Sequence, residues 1–396
     1  MKVAIIHYWL VGMRGGEKVL ESLCELFPEA DIFTHVYRPE AISDTIRAHR
    51  VSTTFIARLP FAARLYQAYL PLMPLALEQL DLRKYDLVIS SESGPAKGVL
   101  TRPDALHVCY CHTPMRYIWN MYQEYRQQVP LPLRPLVSLL AHRLRQWDQT
   151  ASARVDFFVA NSRNISDQIR KFYRRPSEVV YPPVDLDLFN GAMAAGTTAG
   201  DFYLYAGQLI PYKRVDLAID ACKALGRRLV IIGGGSEKER LARQAGPLVA
   251  FLGHVDDATL RSHYARCRAL LFTGEEDFGI VPLEAMACGR PVIAYGRGGA
   301  LETVTPVSGL HFSEQSIPSL TDAMRRFEAT EHSFDPQAIA QHAGNFSKAR
   351  FREGFLAALD MALAEQGPAR RWRSVADLPL PFQPTVTAIA VAGEAA

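Results

Sequence analysis

Residues 269–292 read ALLFTGEEDFGIVPLEAMACGRPV, and few folds accept such a string. The apolar run 269–273 suits a buried strand, and 274–279 suits a polar loop. Pro282 is expected to open a helix, where a missing N–H costs nothing, and Gly289 to end it before a new strand begins at Pro291. Strand, loop, helix and strand in this order form the repeating unit of a parallel sheet covered by helices. Glu276 and Glu284 then fall in the loop and the first helical turn, at the carboxyl edge of the sheet, where open α/β folds take their ligands. An ionised carboxylate only accepts hydrogen bonds and can take two donors, which suits a vicinal diol. The helix N-terminus between the two acids offers N–H groups and partial positive charge to a phosphate. The plain alternative is that both acids merely cap the helix, as acidic residues in such places usually do.

The surrounding residues favour the ligand reading. Glu276 followed by Phe278-Gly279, Glu284 after seven intervening residues, then Ala285-Met286-Ala287 and Gly289 through Val292, resembles the signature of the retaining glycosyltransferases of family four. Those enzymes have the GT-B fold, two Rossmann-like α/β domains facing across a cleft. The resemblance implies that Glu276 orients a donor hexose with help from backbone N–H groups of Phe278, Gly279, Ile280 and Val281. It also implies that Glu284 holds a ribose.

Other stretches fall into place around this one. Residues 2–27 read as strand, glycine loop and helix, with Gly15 and Gly16 allowing close backbone approach at a helix start. Alone, the pair could be an ordinary tight turn; followed by Glu17, it resembles the family's Gly-Gly-Glu loop beside the donor diphosphate. The strand 106–111 leads into HTPMRYIWN, which puts His112 at the ligand edge of a first sheet. A single histidine is more often structural than catalytic. His-Thr-Pro with Arg116, Tyr117 and Trp119, however, resembles the mannosyltransferase-like branch, where that histidine faces the anomeric centre. Arg116 is a weaker candidate for an acceptor or a phosphate.

Residues 179–189, VVYPPVDLDLF, behave as a stiff connector. Beyond them comes GQLIPYKR. Lys213 can neutralise a diphosphate as a point charge. Family members usually carry arginine where this chain has Gln208, so either Arg214 compensates or phosphate binding leans on Lys213. Val255, after the strand 249–253, is the candidate nucleobase contact by resemblance.

Composition excludes several alternatives. A net charge of +3 over 396 residues gives no reason to expect a nucleic-acid partner. Residues 1–185 hold 23 Lys and Arg against 18 Asp and Glu, a weak hint that the first half meets an anionic surface. The six cysteines show no disulfide or zinc spacing, and Cys109, Cys111 and His112 lack a second ligand pair. No apolar run approaches the roughly 20 residues that span a bilayer. Two stretches, 57–80 and 131–154, mix Leu, Tyr and Pro with Arg58, Arg64, Arg134, Arg143, Arg145 and Trp147. They read as packed amphipathic helices or as a face that dips into anionic lipid.

The expected organisation is a first Rossmann-like domain over 1–183 for the acceptor and a second over 184–345 for the nucleotide sugar. A helix at 346–366 crosses back onto the first domain, and the tail 367–396 is expected to be disordered. The resemblance implies a cytoplasmic retaining hexosyltransferase, peripheral on the inner face of the plasma membrane. It would move mannose from GDP-mannose to a lipid-linked saccharide in surface or exopolysaccharide synthesis, with no metal or other cofactor. The alternatives are a GT-B nucleotide-sugar 2-epimerase and a non-catalytic nucleotide-sugar binding protein. A dinucleotide dehydrogenase is disfavoured, because no G-x-G-x-x-G follows the first strand.

Overall fold

The computed structural model describes residues 1–189, 200–365 and Val375. Apart from Val375, the tail expected to be disordered lies outside the described residues.

Among the described residues, thirteen strands form two parallel sheets. The first holds β1 (Val3–His7), β2 (Asp31–Thr34), β3 (Val51–Thr53), β4 (Leu87–Glu92), β5 (Leu106–Cys111), β6 (Phe157–Ala160) and β7 (Glu178–Val179), in the order β3-β2-β1-β4-β5-β6-β7. The second holds β8 (Phe202–Ala206), β9 (Arg228–Ile232), β10 (Val249–Gly253), β11 (Leu270–Phe272), β12 (Val292–Tyr295) and β13 (Gly309–Phe312), in the order β10-β9-β8-β11-β12-β13. Each sheet reverses its winding once, between β1 and β4 and between β8 and β11. Crevices at such reversals, outside the carboxyl ends of the strands, are where open α/β sheets bind ligands. The central strands are covered on both faces, so they carry no alternation: VAIIH in β1 and LHVCYC in β5 are buried throughout.

The helix Lys348–Glu365 starts beside the second domain and finishes against the first. Its residues Phe351, Phe355, Leu359 and Leu363 recur every fourth position and join the core cluster of β1, β4 and β5. Phe351 meets Tyr110 edge-on at 5.7 Å between ring centroids. Each such large apolar side chain contributes about 1.5–3 kcal/mol through burial. The chain therefore crosses between domains twice, and the crossings touch. Val184 donates its N–H to the Phe346 carbonyl at 3.0 Å, and Lys348 Nζ lies 2.6 Å from Asp185 Oδ2.

The domains also meet across the cleft. Arg116 of the first pairs with Asp277 of the second. Ser162 Oγ donates to the Asp277 carbonyl at 2.8 Å. Glu302 accepts the N–H groups of Arg163 (2.8 Å) and Asn164 (3.0 Å), capping the helix Arg163–Tyr173 with a carboxylate from the opposite domain.

Candidate active site

The loops after β1, β5, β8 and β11 converge on one cavity of about 800 Å³ between the domains. Of the residues singled out in the sequence, Gly15, Gly16, His112, Lys213, Glu276, Phe278, Gly279, Ile280 and Val281 line it. Gln208, Arg214, Val255 and Glu284 do not.

The second-domain wall is polar. Lys213 Nζ lies 2.8 Å from Glu276 Oε1, but off the axis of a good hydrogen bond, so that oxygen keeps its accepting capacity. The two groups sit on different loops, and the Thr273 hydroxyl, donating to the Lys213 carbonyl at 2.9 Å, ties those loops together. The helix after Glu276 spans Ile280–Ala287, with Gly279 as its N-cap at φ +88°, a backbone that favours glycine. This corrects the expected start: the helix opens at Ile280, Pro282 is its third residue, and Glu284 lies in the second turn rather than the first. Pro282 still fits, because the first four N–H groups have no intrahelical acceptor.

Glu284 accepts from the Tyr264 hydroxyl at 2.8 Å. Burial raises its pKa to about 7, against the opposing effect of that hydrogen bond. Val255, like Ile280 and Val281, is partly buried against the second-domain core. Gln208 is exposed, and Arg214 turns to Asp216, with Nη2 at 3.1 Å from Oδ2. Lys213 is thus the cavity's cation on this wall.

The first-domain wall begins with the helix Gly15–Leu26. A Cβ on Gly16 would come within 2.1 Å of the buried Tyr8 hydroxyl, and one on Gly15 within 3.2 Å of Ile280 Cδ1 across the cleft. Close approach therefore demands Gly16, whereas at Gly15 a small shift of the Ile280 side chain would make room. His112 follows β5, its N–H donating to the Glu92 carbonyl at 2.8 Å. Burial and the nearby His7 depress its pKa to about 3, so the imidazole is neutral at pH 7. Beneath it, the fully buried Lys97 reaches Glu92 Oε1 at 3.1 Å, Asp148, and the Tyr173 hydroxyl at 3.2 Å. Asp148 Oδ2 also accepts from Trp119 Nε1 at 2.7 Å. This ionic cluster holds Glu92 at the end of β4, whose carbonyl in turn accepts the His112 backbone N–H.

Arg116 lines the cavity but spends its charge on Asp277, with its guanidinium 5.7 Å from the Tyr212 ring centroid. Burial opposes its charge, yet Asp277 holds its pKa above the ordinary value. The same cavity is also lined by the apolar Leu70, Pro71, Val129, Val137, Leu140 and Leu144 and by Tyr122, Tyr125 and Arg126. Sequence reasoning missed Tyr8, Asp277, Tyr212 and Arg126. Asp277 adjoins the recognised acid and could have been flagged; Tyr8 and Arg126 belong to no pattern.

A model described as Glycosyltransferase Family 4 matches residues 13–188, and one described as Glycosyl transferases group 1 matches 197–344. A D-inositol 3-phosphate glycosyltransferase of Mycobacteroides abscessus is 28% identical over 257 residues, 57% of each chain. One from Mycolicibacterium paratuberculosis is 31% identical over 217 residues, 49% of each. The alignments thus span about half the length of these curated relatives. Among solved structures, Anabaena HepE in complex with UDP superposes with a TM-score of 0.64 at 16% identity, covering 91% of this chain and 100% of that one. WaaG, a glycosyltransferase of lipopolysaccharide biosynthesis, gives 0.62 at 16% identity, covering 90% and 98%. At such identities the likeness concerns the fold.

Proposed function

The chain belongs to the family-four, group-one glycosyltransferases of GT-B fold, and from that premise we propose that it transfers a hexose, mannose from GDP-mannose, to a lipid-linked saccharide with retention of configuration. The observation that carries the reading is the facing of Lys213 and Glu276 against Gly15, Gly16 and His112 within one interdomain cavity. An arriving diphosphate competes with Glu276 for Lys213. The ammonium then turns to the phosphates, aided by the N-terminus of the helix Ile280–Ala287, and Glu276 is released to accept hexose hydroxyls. Glu284 takes the ribose diol and Val255 the base, while Gln208 donates without charge. The bond from the anomeric carbon to the phosphate oxygen breaks as the acceptor oxygen bonds on the same face. The acceptor proton leaves on that phosphate oxygen. Positive charge developing on the sugar meets a neutral His112, not a cation that would repel it. Lys213 and the helix terminus supply the electrostatic role that a divalent ion plays elsewhere, so chelators leave the rate unchanged.

The apolar part of the cavity supports an acceptor with a hydrocarbon portion, its phosphate drawn to Arg126. It lies beside an unusual surface: Phe61 is 77% exposed and Leu131 72%, with Leu65, Leu75, Leu133, Leu136 and Leu139 also turned outward. Arg58, Arg64 and Arg143 are exposed on the same segments. Apolar side chains interspersed with arginines suit the surface of an anionic bilayer, from which a lipid-linked acceptor enters directly. None of the described helices is long and apolar enough to cross a membrane.

The test has two arms. Thermal stabilisation by GDP against UDP identifies the base, because a ligand that prefers the native state raises its midpoint. Incubation with GDP-mannose, with and without a lipid-linked acceptor, then follows the sugar. Transfer that requires the acceptor is expected; GDP release at full rate without any acceptor would favour the epimerase instead.

A further inference from the structure

Behind His112 runs a chain of side chains that the reaction scheme above does not use. His112 Nε2 lies 2.9 Å from Ser91 Oγ. The same oxygen lies 3.0 Å from His7 Nδ1. His7 Nε2 is buried without a hydrogen-bond partner, and faces Glu17 Oε1 at 3.7 Å. Glu17 is held in place by its other oxygen, which accepts the Arg14 N–H at 3.0 Å at the start of the helix Gly15–Leu26. His7, Glu17 and Ser91 are each at most 2% exposed. The three come from β1, the glycine-loop helix and β4, so the topological reversal of the first sheet brings them together.

The direction of the protons follows from counting them. A neutral imidazole has one N–H and one lone pair, and a hydroxyl has one proton to donate. A bare His7 Nε2 would aim its lone pair at a carboxylate in a buried site. A proton there is attracted instead, so Glu17 selects the Nε2–H form of His7. His7 Nδ1 is then an acceptor, and Ser91 must donate its proton to it. With that proton committed, Ser91 Oγ can only accept from His112, whose Nε2 must carry the hydrogen. His112 Nδ1 is left bare.

We propose that Glu17, His7 and Ser91 are positioning residues that set the tautomer of His112, so that its Nδ1 is a lone pair for the cleft rather than an N–H. The consequence for transfer rests on the glycosyl-transfer reading above: a lone pair accepts a sugar hydroxyl or faces positive charge favourably, whereas an N–H would oppose that charge. The proton arrangement itself does not depend on the reaction. Second-shell partners of this kind fix tautomer and ring orientation elsewhere, and losing them costs 10–100-fold at metal-bound histidines.

The experiment is nitrogen-15 NMR of full-length, histidine-labelled protein at pH 7, with His7 and His112 assigned by the signals lost in His7→Asn and His112→Asn. Both residues are expected to be protonated at Nε2 alone. In Glu17→Gln the charge that selects this state is gone, and the Nδ1–H form should appear at both histidines in equal proportion, because one hydroxyl proton links them. In Ser91→Ala that link is cut and the two populations become independent. A wild-type His112 protonated at Nδ1 overturns the proposal. So do unchanged spectra in Glu17→Gln, or unequal populations at the two residues in that variant. None of these readings needs turnover, so an enzyme with a different donor or acceptor would leave this inference standing.

Discussion

The two walls of the cleft are built in opposite ways. The second-domain wall comes from short contiguous loops, carries a lysine and a carboxylate 2.8 Å apart, and ends in a helix terminus. The first-domain wall draws on residues from Tyr8 to Pro182 and combines a neutral histidine with tyrosines, arginines and a set of apolar side chains. One is equipped to hold fixed charge and the other to hold a greasy, variable molecule. The contrast teaches that a shared fold can divide labour within a single cavity: both walls present a helix N-terminus, and what separates them is the lysine–carboxylate pair on the second and the wider apolar lining on the first.

The sharpest way to break this division is to remove its acid. Glu276→Ala is expected to lower kcat by roughly 10³-fold with the melting temperature nearly unchanged, since in the proposed role the group acts on the sugar and not on the core. A variant that transfers sugar at close to the normal rate would falsify the assignment. His112→Ala tests the opposite wall and should cost about 10²-fold in kcat, measured in the same assay. Lys213→Ala should act chiefly on the donor: a tenfold or greater loss in nucleotide-diphosphate affinity by calorimetry, roughly 1.4 kcal/mol.

A subtler test uses pH. The Glu284 pKa is raised to about 7 by burial, so the native state holds a proton that the unfolded chain has released. Stability from this group therefore falls as pH rises from the ordinary carboxyl range through 7, while the ionised form that accepts a ribose diol becomes more populated. Donor affinity should rise severalfold between pH 6 and 8 in the native protein and stay flat in Glu284→Gln; a parallel rise in both would end the ribose assignment. His112 carries the opposite sign. Its depressed pKa means that stability is lost as pH falls from 6.5 toward 3, which His112→Asn should relieve in acid melts.

The smallest expected effect concerns the outer surface. Leu131→Glu with Leu136→Glu should abolish flotation with anionic vesicles and weaken use of a lipid-linked acceptor, yet leave donor affinity untouched. Wild-type protein that fails to float with such vesicles would remove the membrane face altogether.

How far the sequence could be read follows the same divide. The stretch from Glu276 to Val292 is local, so its strand, loop and helix and the placement of Glu276 were all visible, with an error of two residues at the helix start because Pro282 drew attention to itself. His112 was visible because it directly follows a long apolar strand. The pairing of Asp277 was not, since its partners Arg116 and Ser162 lie more than a hundred positions away. The short strands β2 and β3 carry too few residues to show a period. The region 57–80 reads as amphipathic helix but breaks into short turns around Pro60, Pro71 and Pro74. No spacing rule could join His7, Glu17 and Ser91, because the winding of the sheet is what makes them neighbours.

The helix Lys348–Glu365 has a consequence for how the protein is made. It fills a hollow in the first domain, yet the ribosome delivers it after the whole second domain has emerged. Through most of synthesis the nascent first domain must wait with an open groove where Phe351, Phe355 and Leu359 will settle, exposed to chaperones and to its own aggregation. A stop codon near position 345 would thus yield two nearly complete sheets and still deny the earlier one its closing piece.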